Sequence, residues 1–373
     1  MKEAGVRMDQ PECSSVRIEM PRDPSELALS VVIPNYNYAK FVGAAIKSAL
    51  GIRWPKVEVV VVDDGSTDNS LEVIGKFADR ITLIEQANSG QMPSCVNGFH
   101  HSSGDVIIFL DSDDALHPDV MTEIAAVWSE KASKFQFQMR TIDADGNATG
   151  SIQPQYFVTP TPQQIREWAI TAGVYPTPPG SGNAYPREVV DQIFSFKTDF
   201  VDRAPDSYLV TAAPALGDVI TIPKPLVDYR VHGANHGAFL ELEDNRFARE
   251  VDVTRRRVGY FREFAASVGL SVAPEALNRN MLFLCLRAAS YALRPDRHPI
   301  AKDSAGRIIA DFLRALSYPQ GFSYTQRMSL LFWTIAVVAG PKQLSRSLAS
   351  WRYAPTSRPR LMRAALNVFR VVR

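Results

Sequence analysis

The sequence predicts an α/β fold: a Rossmann-like, mostly parallel sheet with helices on both faces, followed by a C-terminal helical extension. Short apolar runs rich in β-branched residues alternate with amphipathic segments through the first third of the chain, as buried parallel strands alternate with crossover helices. Polar and acidic residues cluster directly after those runs, at the edge where open α/β sheets bind ligands. Beyond Phe239 helical patterning predominates.

Ser30-Val31-Val32-Ile33 is the first strand, ended by Pro34. A helix over about 38–50 follows, with Phe41, Ala45, Ile46 and Ala49 on its apolar face. Val57 opens a second strand that runs to Val62 and gives way to Asp63-Asp64-Gly65-Ser66-Thr67-Asp68, where Ser66, Thr67 or Asp68 can cap a helix over about 69–78. Ile81-Thr82-Leu83-Ile84 is a third strand, a helix over 91–101 comes next, and Val106-Ile107-Ile108-Phe109-Leu110 is a fourth strand. Right-handed crossovers between such strands give a parallel sheet. From Lys134 the pattern loosens: a strand over 135–142 turns at Asp145-Gly146-Asn147. The Pro- and Gly-rich stretch 175–183 reads as a functional loop. Helical segments over 188–193 and 207–213 and short strands over 219–222 and 227–231 complete this part. The expected division is a loose arm over 1–27, an α/β domain over 28–240 with halves 28–120 and 121–240, and a helical region over 241–373.

With 373 residues, 46% hydrophobic and 22% charged, the chain is an ordinary globular composition, and a net charge of +1 gives no reason to expect a nucleic-acid partner. Cys13, Cys95 and Cys285 form neither a CxxC pair nor a disulfide framework, which suits a reducing compartment and argues against zinc. The arm has no apolar core run and is not a signal peptide. Asp311 is the last acidic residue; after it the basic residues run from Arg314 to Arg373 among aromatic and aliphatic ones. The apolar run 330–339 is too short to span a bilayer. A basic, apolar tail broken by Pro355 and Pro359 fits an interfacial segment on anionic lipid, as an alternative to a helix packed on the domain with a solvated face. The expected location is cytoplasmic, peripherally attached to the inner face of the cell membrane.

Asp111-Ser112-Asp113-Asp114 follows the fourth strand directly. Acids one residue apart at a strand's carboxyl end can divide work, one reaching a ribose or a metal-bound water and the other holding a hard divalent cation. The plainer reading is a polar turn capping the next helix. Three segments taken together separate these readings. Val31-Val32-Ile33-Pro34-Asn35-Tyr36-Asn37, then Val62 to Asp68, then Phe109 to Asp114 resemble, in order and spacing, the family 2 glycosyltransferases of the GT-A fold. Ala204-Pro205-Asp206-Ser207-Tyr208-Leu209 and the stretch from Pro225 to His236 resemble the acceptor-side half, so the likeness covers about 29–240.

That resemblance implies metal-dependent transfer, with inversion, of a sugar from a nucleotide-sugar donor, most plausibly a UDP-sugar, to a glycan or lipid-linked acceptor in cell-surface or extracellular polysaccharide synthesis. Pro34, Asn35 and Tyr36 would line the base pocket, and Asp64, with Asp63 as its rival and Ser66 beside them, would accept from a base N–H. Asp111 with Ser112 would hold the ribose side, and Asp113 the cation, Mn²⁺ or Mg²⁺, which neutralises the leaving diphosphate. Asp206 is the expected general base, with Asp199 and Asp202 as neighbouring rivals and a plain N-cap as its other reading. Many relatives carry an acidic pair where Pro205-Asp206 stands here. His232 would ligate the metal or donate to phosphate, with Arg230 on the same strand face; His236 is a weaker candidate. Gly182 and Asn183 sit in a loop that could close over the acceptor, whereas His100, His101 and His117 read as surface or capping residues. A non-catalytic donor-binding scaffold of a synthase complex is the alternative. A nucleotidyltransferase would need a Gly-rich phosphate loop after the first strand, and a processive synthase would need spanning helices.

Overall fold

The computed structural model describes residues 23–156, 158–232 and 244–353. The strands β1 (Leu29–Asn35), β2 (Val57–Asp63), β3 (Thr82–Glu85) and β4 (Val106–Phe109) alternate with the helices α1 (Val42–Leu50), α2 (Ser70–Gly75) and α3 (Gln91–His100). All four strands are parallel, in the order β3-β2-β1-β4. Side chains alternate between faces: Val31, Ile33, Val59, Val61 and Ile108 enter one buried cluster, and Val32, Val60, Val62, Ile107 and Phe109 enter the other. Burial on both faces is what makes these strands read as continuous apolar runs. The strand order reverses at β1, with β2 on one side and β4 on the other, so a crevice opens at the carboxyl ends of β1 and β4.

The second half of the domain contains β5 (Ala115–Leu116), α4 (Val120–Ala125), β6 (Ala132–Ile142), β7 (Ala148–Gln153), α5 (Pro162–Ala172), β8 (Asn183–Pro186), α6 (Arg187–Phe194), α7 (Asp206–Leu216) and β9 (Asp218–Arg230). Here the sheet is mixed: β8 runs antiparallel between β4 and β6, β9 runs parallel to β6, and β5 and β7 add antiparallel pairs. The two short strands expected at 219–222 and 227–231 are one continuous strand. Its register shifts opposite Gln138. Pro223 and Pro225 have no N–H to give the ladder, and the irregularity absorbs them.

Leu27, expected in the arm, is buried in the core, and its carbonyl accepts the indole N–H of Trp54 at 2.7 Å. Beyond it the helical extension comprises α8 (Asp244–Ser267), α9 (Ala276–Arg279), α10 (Met281–Leu293), α11 (Ala305–Ala315), α12 (Tyr324–Ala339) and α13 (Lys342–Tyr353). The apolar run 330–339 lies in α12 and turns Leu330, Leu331, Thr334 and Val337 inward, leaving Phe332 exposed. One side of that run is therefore bundle core. Among the described residues no helix is long and apolar enough to cross a membrane. His236, the expected boundary at 240, Cys13 and the basic stretch from Arg358 to Arg373 lie outside the described residues.

One buried ion cluster ties the extension together. The Arg287 guanidinium, 2% exposed, grips both carboxylate oxygens of Asp303 and donates to Asp311 at 2.8 Å, while His298 Nε2 meets Asp303 at 2.9 Å. Removing Arg287 takes the central cation from two buried carboxylates, leaving Asp311 with Arg314 alone and Asp303 with His298. Arg287→Ala is therefore expected to cost about 3–5 kcal/mol, read as a lowered denaturant midpoint. A loss below about 1 kcal/mol would place this cluster among weak surface pairs.

Candidate active site

The crevice is lined by three strand ends and closed by the end of β9. At the end of β1, Asn35 Nδ2 donates to Asp63 Oδ1 at 2.8 Å, and Ser66 bonds both oxygens of the same carboxylate, through its N–H at 2.9 Å and its hydroxyl at 2.6 Å. Asn35, Asp63 and Ser66 thus form one network. Tyr36 stands beside it, 45% exposed, at the crevice rim. Gly65 makes the turn with φ +73°, and a Cβ there would lie 2.9 Å from the Asn88 nitrogen.

Asp64 points the other way along the turn. Its carboxylate accepts from Gln86 Nε2 at 2.7 Å and from the N–H groups of Ser89 at 2.9 Å and Gly90 at 2.7 Å. Burial raises its pKa, but the bonds from Gln86, Ser89 and Gly90 outweigh burial and hold it below the usual carboxylate range. Both acids of the pair are engaged inside the protein, Asp63 with Asn35 at the end of β1 and Asp64 with the loop entering α3.

The turn after β4 carries the centre of the site. Ser112 donates to the Pro34 carbonyl at 2.7 Å, fastening this turn to β1. Asp111 receives Gln91 Nε2 at 2.8 Å, and its N–H donates to Ser181 Oγ at 3.0 Å. Carboxylate oxygens of Asp111, Asp113 and Asp114 lie within 4.8 Å of one another. Burial, then the charges of Asp113 and Asp206, push the Asp111 carboxyl up to about 7. Burial, then Asp111 and Asp113, raise Asp114 as well. Asp114 accepts the Arg230 N–H at 2.9 Å through Oδ1, while its buried Oδ2 has no hydrogen-bond partner among the described residues. Three mutually repelling carboxylates with an orphaned buried oxygen fit a hard divalent cation bound through oxygen.

β9 brings in the residues most distant in sequence. His232 Nε2 is 3.0 Å from Asp113 Oδ2, and its ring stacks on Phe41 with centroids 4.7 Å apart. The Arg230 guanidinium also lies over the Phe41 ring, 5.2 Å from its centroid, and donates to the Asp113 carbonyl at 2.9 Å. Arg230 and His232 do share one side, as the alternation of the strand predicts, but here Arg230 also braces the Asp113 turn. Tyr38 packs edge-on against His232, and burial followed by the charges of Asp113, Asp111 and Asp114 pushes its hydroxyl up to about 12.

Of the three acids around α7, Asp199 is exposed and Asp202 pairs with Arg257 at 3.1 Å. Asp206, in the first turn of α7, is different. Its Oδ1 is buried without a hydrogen-bond partner among the described residues, and burial raises its pKa. It is close enough to Asp111 for its charge to help raise that carboxyl. Gly182 and Asn183 also reach the site: Asn183 Nδ2 binds the Pro179 and Gly180 carbonyls at 2.9 and 3.1 Å and fixes the loop that presents Ser181 to Asp111. His100, His101 and His117 are exposed.

Several site residues escape sequence reasoning. Tyr38 and Phe41 sit one turn beyond the first motif, and only the fold shows that they pack on His232. Lys134 is fully buried on β6, donates to Thr177 Oγ1 at 2.8 Å and lies 4.9 Å from the Tyr175 ring centroid. A lysine opening an apolar strand was its one available signal.

The model of the family described as Glycosyl transferase family 2 matches residues 30–194. An uncharacterized glycosyltransferase of Nostoc sp. (strain PCC 7120) is 32% identical over 267 residues, which are 69% of this chain and 81% of that protein. The poly(ribitol-phosphate) beta-N-acetylglucosaminyltransferase TarS of Staphylococcus aureus (strain Mu50) is 33% identical over 113 residues, 29% of this chain and 20% of that protein. The crystal structure of S. aureus TarS 1–349 in complex with UDP-GlcNAc aligns over 87% of this chain and 92% of that one, with TM-score 0.49 and 16% identity.

Proposed function

The chain belongs to glycosyl transferase family 2, and from that premise we propose that it is a metal-dependent, inverting enzyme using a nucleotide-sugar donor and a glycan or lipid-linked acceptor. The observation that carries this reading is a buried acid with an unpartnered oxygen, Asp206, beside the three-carboxylate turn of Asp111, Asp113 and Asp114. A transfer with inversion requires one base for the acceptor hydroxyl and a means of stabilising the diphosphate that leaves. Asp206 supplies the first. Mn²⁺ or Mg²⁺ held by Asp113 and its neighbours, with His232 at Asp113, would supply the second by neutralising the diphosphate's charge.

The donor's base and ribose then fall along the crevice. Pro34, Asn35 and Tyr36 flank it, the Asp63–Ser66 network or Asp64 meets the base, and Asp111 with Ser112 takes the ribose side. A UDP-sugar suits an acid-lined base edge. The S. aureus relative's name, with N-acetylglucosamine added to a polymer, supports a polysaccharide acceptor here, and hence a role in cell-surface or extracellular polysaccharide synthesis.

A thermal-shift panel of UDP-, GDP- and dTDP-sugars with and without Mn²⁺ tests the donor class. A UDP-sugar is expected to raise the melting temperature only when the cation is present. A metal-independent shift, or none with any donor, removes the proposed chemistry. Donor binding with neither transfer nor slow donor hydrolysis would favour the scaffold reading.

Membrane attachment at the inner face rests on residues 354–373, which carry Arg358, Arg360, Arg363, Arg370 and Arg373 with no acid. Deleting them spares α12 and its buried residues. The shortened protein is expected to lose binding to vesicles containing anionic lipid, with most of the loss at low salt. Undiminished flotation with the vesicles would remove the membrane from this account.

A further inference from the structure

Where the α/β domain meets the helical extension, a cleft of about 260 Å³ opens between the segment after β7, helix α5, the strand-like stretch 174–177 and the turn before α12. Tyr156, Trp168, Tyr175 and Phe322 line it, with Gln155 and Thr177 adding amide and hydroxyl groups, and no charged side chain among the described residues lines it. Aromatic faces carry negative charge density that suits the C–H faces of a pyranose, while amide and hydroxyl groups suit its rim. The uncharged lining offers nothing to a phosphate or carboxylate. Its volume lies just below the ~300–1,000 Å³ of pockets that hold drug-sized ligands, and so fits a single ring.

The wall on the extension side is fixed. Gln320 is buried with φ +51°, a conformation unfavourable for a non-glycine residue, and its amide donates to the Tyr318 carbonyl at 3.0 Å. Gly321 follows at φ +82°, so close to the domain that a Cβ would lie 3.1 Å from Pro176. On the domain side the cleft is tied to the crevice through the chain and its hydrogen bonds. Gln136 Nε2 bonds the Tyr156 hydroxyl at 3.3 Å and the Pro176 carbonyl at 3.0 Å, and Lys134 bonds Thr177. Thr177 is four residues from Ser181, which meets Asp111. Four residues reach at most about 14 Å, a span of a few sugar rings.

We propose that this cleft is a second carbohydrate subsite, holding one neutral sugar ring of the acceptor glycan a few residues away from the hydroxyl that is glycosylated. The proposal rests on the glycosyltransferase reading and narrows its acceptor to a chain of several sugars. A distal subsite makes longer acceptors bind better than single sugars, since the second ring binds intramolecularly.

The test is saturation-transfer NMR on the full chain with the methyl glycosides of glucose, galactose, mannose and N-acetylglucosamine, with inorganic phosphate competition and hexanol as an alkyl probe. Val158, 82% exposed at the rim, allows a fold-neutral plug, Val158→Trp, with Val158→Ala as its control. Ring-proton signal is expected from at least one glycoside, unaffected by phosphate. It should be retained in Val158→Ala and weakened about tenfold in Val158→Trp at unchanged melting temperature. No glycoside signal, signal unchanged in Val158→Trp, or signal from hexanol alone overturns the subsite. A UDP-sugar melting shift recorded on the same wild-type sample separates the two readings. A donor shift without glycoside signal removes the subsite alone, and loss of the donor shift removes the glycosyltransferase chemistry beneath it.

Discussion

Asp113→Asn is expected to reduce sugar transfer about a thousandfold, roughly 4 kcal/mol of transition-state stabilisation, while leaving the protein folded. The carboxylate lies within 4.8 Å of those of Asp111 and Asp114 and is 3.0 Å from His232. An asparagine keeps the size and an acceptor oxygen but loses the negative charge that attracts a divalent cation, so the loss should appear in the chemical step and in metal affinity. Stability should move the other way or not at all. Asp111 and Asp114 are raised partly by the charge of Asp113, so removing that charge relieves repulsion in a buried turn. Single-turnover transfer across a Mn²⁺ titration, alongside the melting temperature without metal, reads both effects. Wild-type turnover in this variant would sink the metal assignment. A collapse of the melting temperature would instead make Asp113 a structural residue.

The parallel half of this site was legible because its grammar is local. Each strand is an apolar run, and each ligand-facing group follows its strand directly, so Asn35, Asp63 and Asp111 could be placed from sequence alone. Asp114 has no role that spacing assigns, because two acids one residue apart already satisfy the motif. Its orphaned Oδ2 and its bond from Arg230 depend on β9, and 116 residues separate that pair. The prolines at 223 and 225 made one strand look like two, since the bulges that absorb them are a property of the pairing with β6. Helix α5 has a local signal, since Thr161-Pro162-Gln163-Gln164 spells a capping box with proline in the first turn, and both reciprocal bonds form. The Pro-rich stretch just beyond it obscures that signal. The extension could be read only as helical. Its Arg287 cluster draws on four segments, and no spacing rule announces a contact of that kind.

Asp206→Asn should do two opposite things, and the pair distinguishes a catalytic acid from a helix cap. Transfer is expected to fall by a factor of about 10²–10⁴, the usual contribution of general base catalysis, with donor binding retained. In the wild type, activity should rise with pH through the raised pKa of Asp206, because only the ionised carboxylate accepts a proton. Stability follows the reverse sign. An acid whose pKa is raised on folding binds more protons folded than unfolded between about pH 4, its unfolded value, and its folded value. Folding stability contributed by this group is therefore full below that window, is lost as pH rises through it, and stays lost above. Asp206→Asn removes the penalty and should stabilise the protein by about 1 kcal/mol near pH 7, with the advantage vanishing towards pH 3. An ordinary N-cap predicts the contrary, a loss of about 1 kcal/mol on substitution by a residue unable to cap and little change in turnover. Pro205, not Asp206, is the N-cap of α7 and no side chain caps this helix, so Asp206→Ala is the sharper second variant: it removes the carboxylate and leaves no polar group in its place. If both variants melt no lower than the wild type and both are inactive, the carboxylate is held at α7 for its chemistry and against its own stability. The unpartnered Oδ1, buried beside Asp111, is where that stored cost resides.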